Sequence, residues 1–302
     1  MSFFNKIIAW FLSILAFFGI NLGGNETDAY NKYADIAYGA GKYEVMDIYV
    51  PSSAEKRDYN GAFLFLHGGS WTSGDKADLE NSGYLSLLDD GYILVFMNYT
   101  LYNTATDFGK VTAFTLRDEV GTAIAKLKEF SDEKGLNITK LCTSGVSAGG
   151  HISLLYTYTQ AKSSPIEIVF TANRVAPADF SLENWSSVYG DVFTAGLLSE
   201  LVGQVVSVEQ MKNGEADELI ASVSPARLLN SDCVPSIAGY GLQDTVVPTG
   251  NASAMKKALE ESGIEYTYIE YPNSNHLLQQ DADSTAKYDK AVKDYALRYF
   301  GY

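Results

Sequence analysis

The residues best suited to chemistry in this chain of 302 residues surround one serine, in the segment CTSGVSAGGH at positions 142–151. Ser147 is the centre of GVSAG, a G-x-S-x-G pattern between a strand-like and a helix-like segment. A strand that turns sharply into a helix here leaves the serine oxygen standing alone, and residues two positions away must be small to avoid clashes. The pattern therefore predicts a nucleophilic serine; a serine that only caps the helix is the alternative.

A neutral serine is a weak nucleophile and needs a base, and the chain has three histidines. His151 lies four residues after Ser147, where the helix should carry it against the sheet as a hydrogen-bonded structural residue. His67 belongs with the glycines beside it. His276 lies in a polar loop directly after a strand-like segment, at the edge where α/β sheets place their sites. We therefore predict His276 as the base.

The base needs an acid to orient it, expected between serine and histidine in chain order. Asp244, in YGLQDTVVP, follows a strand-like segment and precedes a turn, and one helix and one strand fit between it and His276. Three competing acids lack a preceding strand: Asp191, Asp232 and Asp281. We predict that Asp244 orients His276; a solvated loop aspartate is the alternative.

Acyl transfer also needs N–H donors for the oxyanion that forms on attack, each worth about 3 kcal/mol in the transition state. The segment HGGSW at 67–71 offers them: Gly69 and Ser70 as donors, with Gly68 needed for the turn, and Ala148 contributes the last N–H. A phosphate-binding loop is disfavoured, because the chain has no G-x-x-x-x-G-K-[ST] and no lysine flanks either glycine loop.

Strand-like and helix-like segments alternate along the chain and would position these residues. Strands are predicted within 42–51, 61–71, 92–99, 139–145, 166–177, 234–241 and 264–272, and helices within 115–135, 148–160, 251–263 and 285–300. The alternation predicts an α/β fold, with a mostly parallel twisted sheet flanked by helices on both faces. Residues 178–224 are too long for a simple connection and predict a helical lid over the sheet edge, within one domain spanning 25–302.

Composition excludes some classes of protein and site. With 22 basic and 37 acidic residues the net charge is −15, and no Lys/Arg cluster appears, so a nucleic-acid partner is not expected. Cys142 and Cys233 form neither a disulfide framework nor a zinc-ligand spacing. They are interpreted as two small buried hydrophobic residues, with a disulfide between neighbouring strands as the alternative.

The N-terminal segment differs from the rest. Lys6 precedes an apolar run, residues 7–20, which is shorter than the ~20 residues that span a bilayer but suits a secretory signal. No A-x-A pattern follows it, so an uncleaved anchor is equally open, and an amphipathic or core helix is the third alternative. Residues 1–24 are therefore predicted to be a signal peptide or membrane anchor, which makes the protein secreted or membrane-anchored on the extracytoplasmic side.

Five segments, VMDIYVP, FLHGGSWTSGDK, GVSAGGH, GLQDTVVP and NSNHLL, together resemble the H-G-G-x-W branch of the α/β-hydrolase superfamily. They are most similar to bacterial feruloyl/acetyl-xylan esterase-like members, and the branch also holds hormone-sensitive-lipase-like esterases and kynurenine-formamidase-like enzymes. The resemblance covers about residues 40–300 and implies a serine carboxylic-ester hydrolase without a cofactor. Such proteins often carry Tyr-Arg after the fourth strand, whereas this chain has Asn98-Tyr99-Thr100.

These observations predict a serine esterase acting on short-chain acyl esters or on acetyl or feruloyl esters of carbohydrate, as small molecules or attached to polysaccharide. Neither a metal nor a cofactor is expected. An amidase or peptidase with the same three residues is the first alternative. A non-catalytic binding protein with this fold is the second.

Overall fold

A computed structural model describes residues 30–52, 61–80, 82–103 and 105–301. The predicted signal or anchor segment, residues 1–24, lies outside the described residues, so the extracytoplasmic location stays a prediction. None of the helices in the described ranges has both the length and the apolar character needed to cross a membrane.

The described strands form one eight-stranded sheet in the order β1-β2-β4-β3-β5-β6-β7-β8. Their bounds are β1 Tyr30–Ala37, β2 Val45–Pro51, β3 Gly61–Leu66, β4 Ile93–Met97, β5 Lys140–Val146, β6 Glu167–Arg174, β7 Ser236–Gly241 and β8 Tyr266–Tyr271. β1 pairs with β2 and β2 with β4 in antiparallel fashion, and all pairs from β4 to β8 are parallel. The predicted mostly parallel sheet is confirmed.

Helices follow most of the parallel strands. Their bounds are α1 Ala77–Glu80, α2 Ala113–Lys134, α3 Ala148–Gln160, α4 Leu182–Tyr189, α5 Asp191–Val202, α6 Val208–Lys212, α7 Asp217–Val223, α8 Pro225–Leu228, α9 Gly250–Ser262 and α10 Ala282–Phe300, with short 3-10 helices at Tyr84–Leu88 and Ala161–Ser163. The helices α4–α8 lie between β6 and β7, where the sequence predicts a helical insertion.

Side chains alternate across the sheet because successive residues of a strand point to opposite faces. In β3, Ala62, Leu64 and Leu66 join a core shared with α2 and α3. Phe63 and Phe65 join a second core shared with α10. Burial on both faces explains why the strand reads as a continuous apolar run, and it confirms that helices flank both sides.

Helix α2 begins two residues before the predicted start because two threonines cap it reciprocally. The Thr112 hydroxyl accepts the N–H of Thr115 at 3.2 Å, and the Thr115 hydroxyl accepts the N–H of Thr112 at 2.8 Å. The helix ends at Gly135, whose φ of 66° is costly for other residues. Four apolar residues of the helix, spaced three or four positions apart, are buried: Leu116, Val120, Ile124 and Leu127.

Strand β1 is absent from the sequence-based assignment because most of its side chains are exposed and it carries no apolar alternation. It is held by backbone pairing to β2 and by Lys32, whose Nζ lies 3.1 Å from an oxygen of Asp47. The cysteines are both free, so the alternative of a disulfide is not realised. Cys142 is buried as expected, whereas Cys233 is only half-buried.

Candidate active site

Ser147 sits at the sharp turn between β5 and α3. Its backbone has φ 56° and ψ −123°, a conformation that costs a non-glycine residue about 1–3 kcal/mol. A Cβ on Gly145 would come within 2.6 Å of the nitrogen of Gly150, and one on Gly149 would overlap the carbonyl of His67. The residues two positions from the serine must therefore lack side chains for the turn to form.

Asp244 and His276 are brought together from the ends of β7 and β8. The Nδ1 atom of His276 donates to Oδ2 of Asp244 at 2.7 Å, and both side chains are buried. The other carboxylate oxygen accepts the N–H groups of Val246 at 2.8 Å and Val247 at 3.0 Å, which fixes its orientation. With its proton on Nδ1, a neutral His276 carries the lone pair on Nε2, which is the nitrogen that a general base uses.

Asp281 holds the loop that carries His276. Its carboxylate accepts from the hydroxyl of Ser274 at 2.6 Å and the N–H of Asn273 at 3.0 Å. Burial opposes ionisation, but these hydrogen bonds outweigh it and lower the pKa of Asp281. Asp281 is therefore committed to supporting the loop rather than to orienting the base.

The other two competing acids are committed to ion pairs. Asp191 pairs with Lys212 at 2.6 Å and Asp232 with Lys162 at 2.8 Å. Asp244 is the one of the four considered acids that contacts His276 among the described residues.

Ser147 and the loop after Asp244 line the same cavity, which has a volume of about 330 Å³. Parallel strands end at one edge of the sheet, and β5, β7 and β8 are parallel, so the residues that follow them share that edge. The walls are largely apolar and aromatic; they include Trp71, Trp185, Tyr189, Phe193, Leu197 and Val246. Ser70 and Ala148 also line the cavity.

The HGGSW loop turns tightly beside the serine. Gly69, Ser70 and Trp71 have φ of 120°, 52° and 61°, and a Cβ on Gly68 would lie 3.4 Å from the Cβ of Ser147. The carbonyl of Gly69 accepts the N–H of Ser73 at 3.0 Å, which closes the turn. The N–H groups of Gly69, Ser70 and Ala148 donate to none of the described residues, so they remain available to a ligand.

A partly buried ion-pair cluster anchors the end of this loop. Lys76 lies 2.9 Å from both Asp47 and Asp35, and its backbone N–H donates to the side chain of Asn98 at 2.5 Å. Burial opposes ionisation of Asp47, but hydrogen bonds from the Asp35 N–H and from Lys76 lower its pKa. The SGDK end of the motif is thereby tied to β2 and to the end of β4.

The segment Asn98-Tyr99-Thr100, which stands where similar proteins often carry Tyr-Arg, is held by local contacts. The Tyr99 hydroxyl donates to the carbonyl of His67 at 2.9 Å, and the two rings stack at 4.3 Å. The N–H of Thr100 donates to Glu119 at 2.9 Å. Burial raises the pKa of Glu119. These contacts join the end of β4 to α2 and to the start of the HGGSW loop.

His151 is buried in α3 and is held by two hydrogen bonds, as predicted for a structural histidine. The indole N–H of Trp71 donates to Nδ1 at 3.2 Å, and Nε2 donates to the carbonyl of Val223 at 2.8 Å. Burial lowers the pKa of His151 to about 4, so the ring is neutral at physiological pH. His151 links the HGGSW loop, the helix after Ser147 and the end of α7. This link was not predicted, since it depends on residues distant in sequence.

His67 is also buried and neutral. Its Nδ1 atom lies 2.7 Å from the carbonyl of Gly68, and burial lowers its pKa. Gly74 packs directly against it, because a Cβ there would overlap the imidazole. His67 therefore supports the loop.

Tyr189 of α4 joins the helical insertion to the loop after Asp244. Its hydroxyl donates to the carbonyl of Val246 at 2.8 Å. Burial, and then the negative charge of Asp244, raise the pKa of Tyr189 to about 12. This bond joins residues 57 positions apart, so no local sequence pattern indicates it.

No group of three or more His, Cys, Asp or Glu side chains within the described ranges is arranged to hold a metal ion.

Comparisons with known proteins agree with this architecture. The family model BD-FAE matches residues 46–259. The chain is 24% identical over 249 residues to Esterase LipQ of Mycobacterium tuberculosis, covering 80% of this chain and 56% of the relative. It is 25% identical over 257 residues to the Probable carboxylic ester hydrolase LipM of the same organism, covering 82% and 57% respectively. The chain thus spans just over half the length of these curated relatives.

Solved structures share the fold. A truncated carbohydrate esterase from gut microbiota superposes with a TM-score of 0.72 at 17% identity, covering 93% of this chain and 100% of the other. An inhibited esterase B from Lactobacillus rhamnosis gives 0.73 at 16% identity, covering 97% and 95%. The fold is therefore that of the α/β-hydrolases, as predicted, and the match over 46–259 shows that the chain belongs to the BD-FAE family of α/β-hydrolase esterases.

Proposed function

We propose that this protein is a serine carboxylic-ester hydrolase in which Ser147, His276 and Asp244 form the catalytic triad. The observation that carries the proposal is the 2.7 Å bond from His276 to Asp244, at the sheet edge where Ser147 is held at positive φ. A serine, an acid and a histidine that follow parallel strands of one sheet, in this chain order, form the arrangement of α/β-hydrolases.

In the proposed reaction, His276 takes the proton of Ser147 while the serine oxygen attacks the ester carbonyl. Asp244 holds the imidazole and stabilises the imidazolium that forms. The N–H groups of Gly69, Ser70 and Ala148 receive the oxyanion, and the same histidine returns its proton to the leaving alcohol. Water activated by His276 then attacks the acyl-enzyme and releases the acid and the free serine.

Replacing the serine tests the proposal directly. Ser147→Ala should lower kcat for p-nitrophenyl acetate by about 10⁴-fold or more, because the nucleophile is lost while the fold remains. Ser153→Ala is the matched control: this serine lies six residues further along the chain in α3, is buried, and its hydroxyl bonds to none of the described residues. Its loss should leave hydrolysis unchanged. Turnover by Ser147→Ala near the wild-type rate would rule out this mechanism.

The substrate class proposed is an ester of a short-chain acyl, acetyl or feruloyl group, free or linked to carbohydrate. A cavity of about 330 Å³ corresponds to roughly ten water-sized volumes, more than an acetyl group fills. An ester panel from acetyl to octanoyl, with feruloyl esters and acetylated xylan, would rank these classes. Matched ester and anilide substrates would separate an esterase from an amidase, and a chain that turns over neither would be the binding protein of the second alternative.

The helical insertion is proposed to act as a lid. Trp185 and Tyr189 of α4 and Phe193 and Leu197 of α5 line the cavity above Ser147. Extracytoplasmic location also remains a proposal, supported by the apolar run at residues 7–20. Fractionation of cells that produce the full chain, with and without residues 1–24, would test it.

A further inference from the structure

The cavity beside Ser147 has one acidic side chain in its lining. Glu200 on α5 is the one described lining residue that carries a carboxylate, amine, guanidinium or imidazole group. Its Oε2 atom is buried and bonds to none of the described residues, although the residue as a whole is half-buried. The carboxylate has thus lost part of its hydration without gaining a partner. It gives the cavity a negative charge that no described lining residue compensates.

The position of Glu200 on its helix also disfavours a carboxylate. It lies in the last turn of α5, where the helix dipole repels negative charge, and α5 contains no lysine or arginine. Burial raises the pKa of Glu200, and neither a hydrogen bond nor a charged neighbour contributes to this shift. The carboxylate therefore lowers the stability of the described fold, and such a cost at a ligand cavity is typical of a residue that serves function.

The aromatic walls of the cavity suit a ligand of positive charge. Trp185, Tyr189 and Phe193 form a continuous row along α4 and α5, with ring centres 5.9 Å and 4.7 Å apart, and Trp71 lines the same cavity. The faces of such rings carry partial negative charge and attract ammonium groups. Aromatic faces together with a carboxylate form a combination that recognises a cation.

Ligands of other charge fit this cavity less well. Glu200 would repel a negatively charged group, and a neutral group would leave the carboxylate unpaired. The attraction of a cation does not require direct contact. Two unit charges about 8 Å apart, at the intermediate dielectric of a protein surface, still interact strongly enough to change binding by about tenfold or more. A cation anywhere in a cavity of about 330 Å³ therefore gains from this carboxylate.

We infer that Glu200 makes this cavity selective for esters in which the group that enters it carries a positive charge, as a quaternary ammonium group does. The inference rests on the proposed esterase function and adds the charge that the substrate presents. The carboxylate attracts the cation, and the aromatic rings cover it. A positively charged ester should therefore bind more tightly than a neutral ester of the same shape.

The test uses two matched pairs of esters, so that either side of the ester bond can occupy the cavity. The acyl pair consists of the p-nitrophenyl esters of 4-(trimethylammonio)butanoic acid and of 5,5-dimethylhexanoic acid; the alcohol pair is acetylcholine and 3,3-dimethylbutyl acetate. Within each pair the shape is the same and the charge differs. At about pH 8, where carboxylates are ionised, the full chain should prefer the charged member of one pair by about tenfold or more in kcat/KM, mostly through KM.

Variants of one residue assign that preference. Glu200→Gln should lower the ratio of kcat/KM within the pair to the smaller value that the aromatic rings support, and Glu200→Lys should bring it below one, because the sign of the charge is reversed. Glu183→Gln is the matched control: this glutamate is exposed on α4 and is not among the described lining residues, so the ratio should be unchanged. Each comparison is a ratio within one variant, so a change in the folded fraction does not affect it.

A second measurement distinguishes this role from a structural one. Because the carboxylate of Glu200 opposes the helix dipole without a partner, Glu200→Gln should raise the urea concentration at the midpoint of unfolding. Glu183 lies in the first turn of α4, where the dipole favours a carboxylate, so Glu183→Gln should not raise that midpoint. A lower midpoint for Glu200→Gln would mean that the carboxylate supports the fold, and it would overturn the inference.

The outcomes separate this inference from the proposed function. Failure of the wild type to hydrolyse p-nitrophenyl acetate would remove the esterase proposal itself. Normal hydrolysis of that ester, with ratios near one for both pairs or with a ratio that is unchanged in both Glu200 variants, would overturn the inference alone.

Discussion

Acid should destabilise this protein partly through one buried histidine, His151. The ring is fully buried, and its two hydrogen bonds fix the neutral form, with the proton on Nε2 and the lone pair on Nδ1. Protonating Nδ1 would break the bond from Trp71 and bury a charge. Burial lowers the pKa of His151 from 6.5 to about 4, opposed by the bond to Val223, and no charged side chain contributes to this shift.

The sign and size of the effect follow from proton linkage. A histidine whose folded pKa is below its unfolded pKa contributes full stability above the unfolded value, and this stability is lost as pH falls from 6.5 towards 4. Over that whole interval the loss is about 3 kcal/mol, and near pH 5 it is about 2 kcal/mol. These amounts are a sizeable fraction of the usual stability of a domain.

The variant His151→Gln isolates this contribution. Its side-chain oxygen can accept from Trp71 and its amide can donate to Val223, but it does not titrate. Near pH 8 we expect the unfolding free energy of the variant to be about 1–2 kcal/mol below that of the wild type, because its hydrogen-bond geometry is imperfect. Between pH 8 and pH 5 the unfolding free energy of the variant should fall by about 2 kcal/mol less than that of the wild type.

Urea unfolding followed by tryptophan fluorescence at both pH values measures the two free energies. The wild type serves as the control, because the other titrating groups, including the buried His67, are common to both proteins. If the unfolding free energy fell equally in the two proteins between pH 8 and pH 5, the reasoning would be refuted, since His151 would then not take up a proton on unfolding.

Two further predictions concern the residues that shape the site. Gly69→Ala should lower kcat by about 10²–10³-fold, because a Cβ at φ 120° overlaps the backbone of Ser73 and displaces an oxyanion donor. Gly135→Ala is the control, since a Cβ there meets open space, and it should leave kcat unchanged. Equal kcat values for the two variants would contradict the role of Gly69 as an oxyanion donor. Tyr189→Phe removes the hydrogen bond to the loop after Asp244, so it should raise KM severalfold and lower the unfolding free energy by about 1 kcal/mol. Tyr268→Phe is the control: it loses a similar 2.9 Å bond far from the site and should lower the unfolding free energy without changing KM.

Local patterns were sufficient to predict much of the fold and the identity of the candidate site. The strand-like runs and helical stripes predicted all the parallel strands and the helices α2, α3, α9 and α10. Ser147, Asp244 and His276 could be selected because each motif carries its own short-range reason: glycines where a Cβ would clash, and polar residues directly after a strand. Their catalytic roles stay proposals until the variants are measured.

Other features had no local signal. Strand β1 is largely exposed and is defined by backbone pairing with β2, which periodicity does not reveal. Cys233 follows a turn that leaves it half-buried, although its sequence neighbours are apolar.

The sequence by itself determined the alternation of the parallel strands with the long helices, the sharp turn at Ser147 and which polar residues follow the strands, because these depend on neighbours a few positions apart. Only the tertiary structure decided that His151 bonds to Trp71 and Val223, and that Glu200 and Tyr102 line one cavity. Those contacts join residues that are far apart along the chain, and they arise when the helices between β6 and β7 pack over the end of the sheet. Burial and the distances between side chains are properties of that packing, so no short stretch of sequence encodes them.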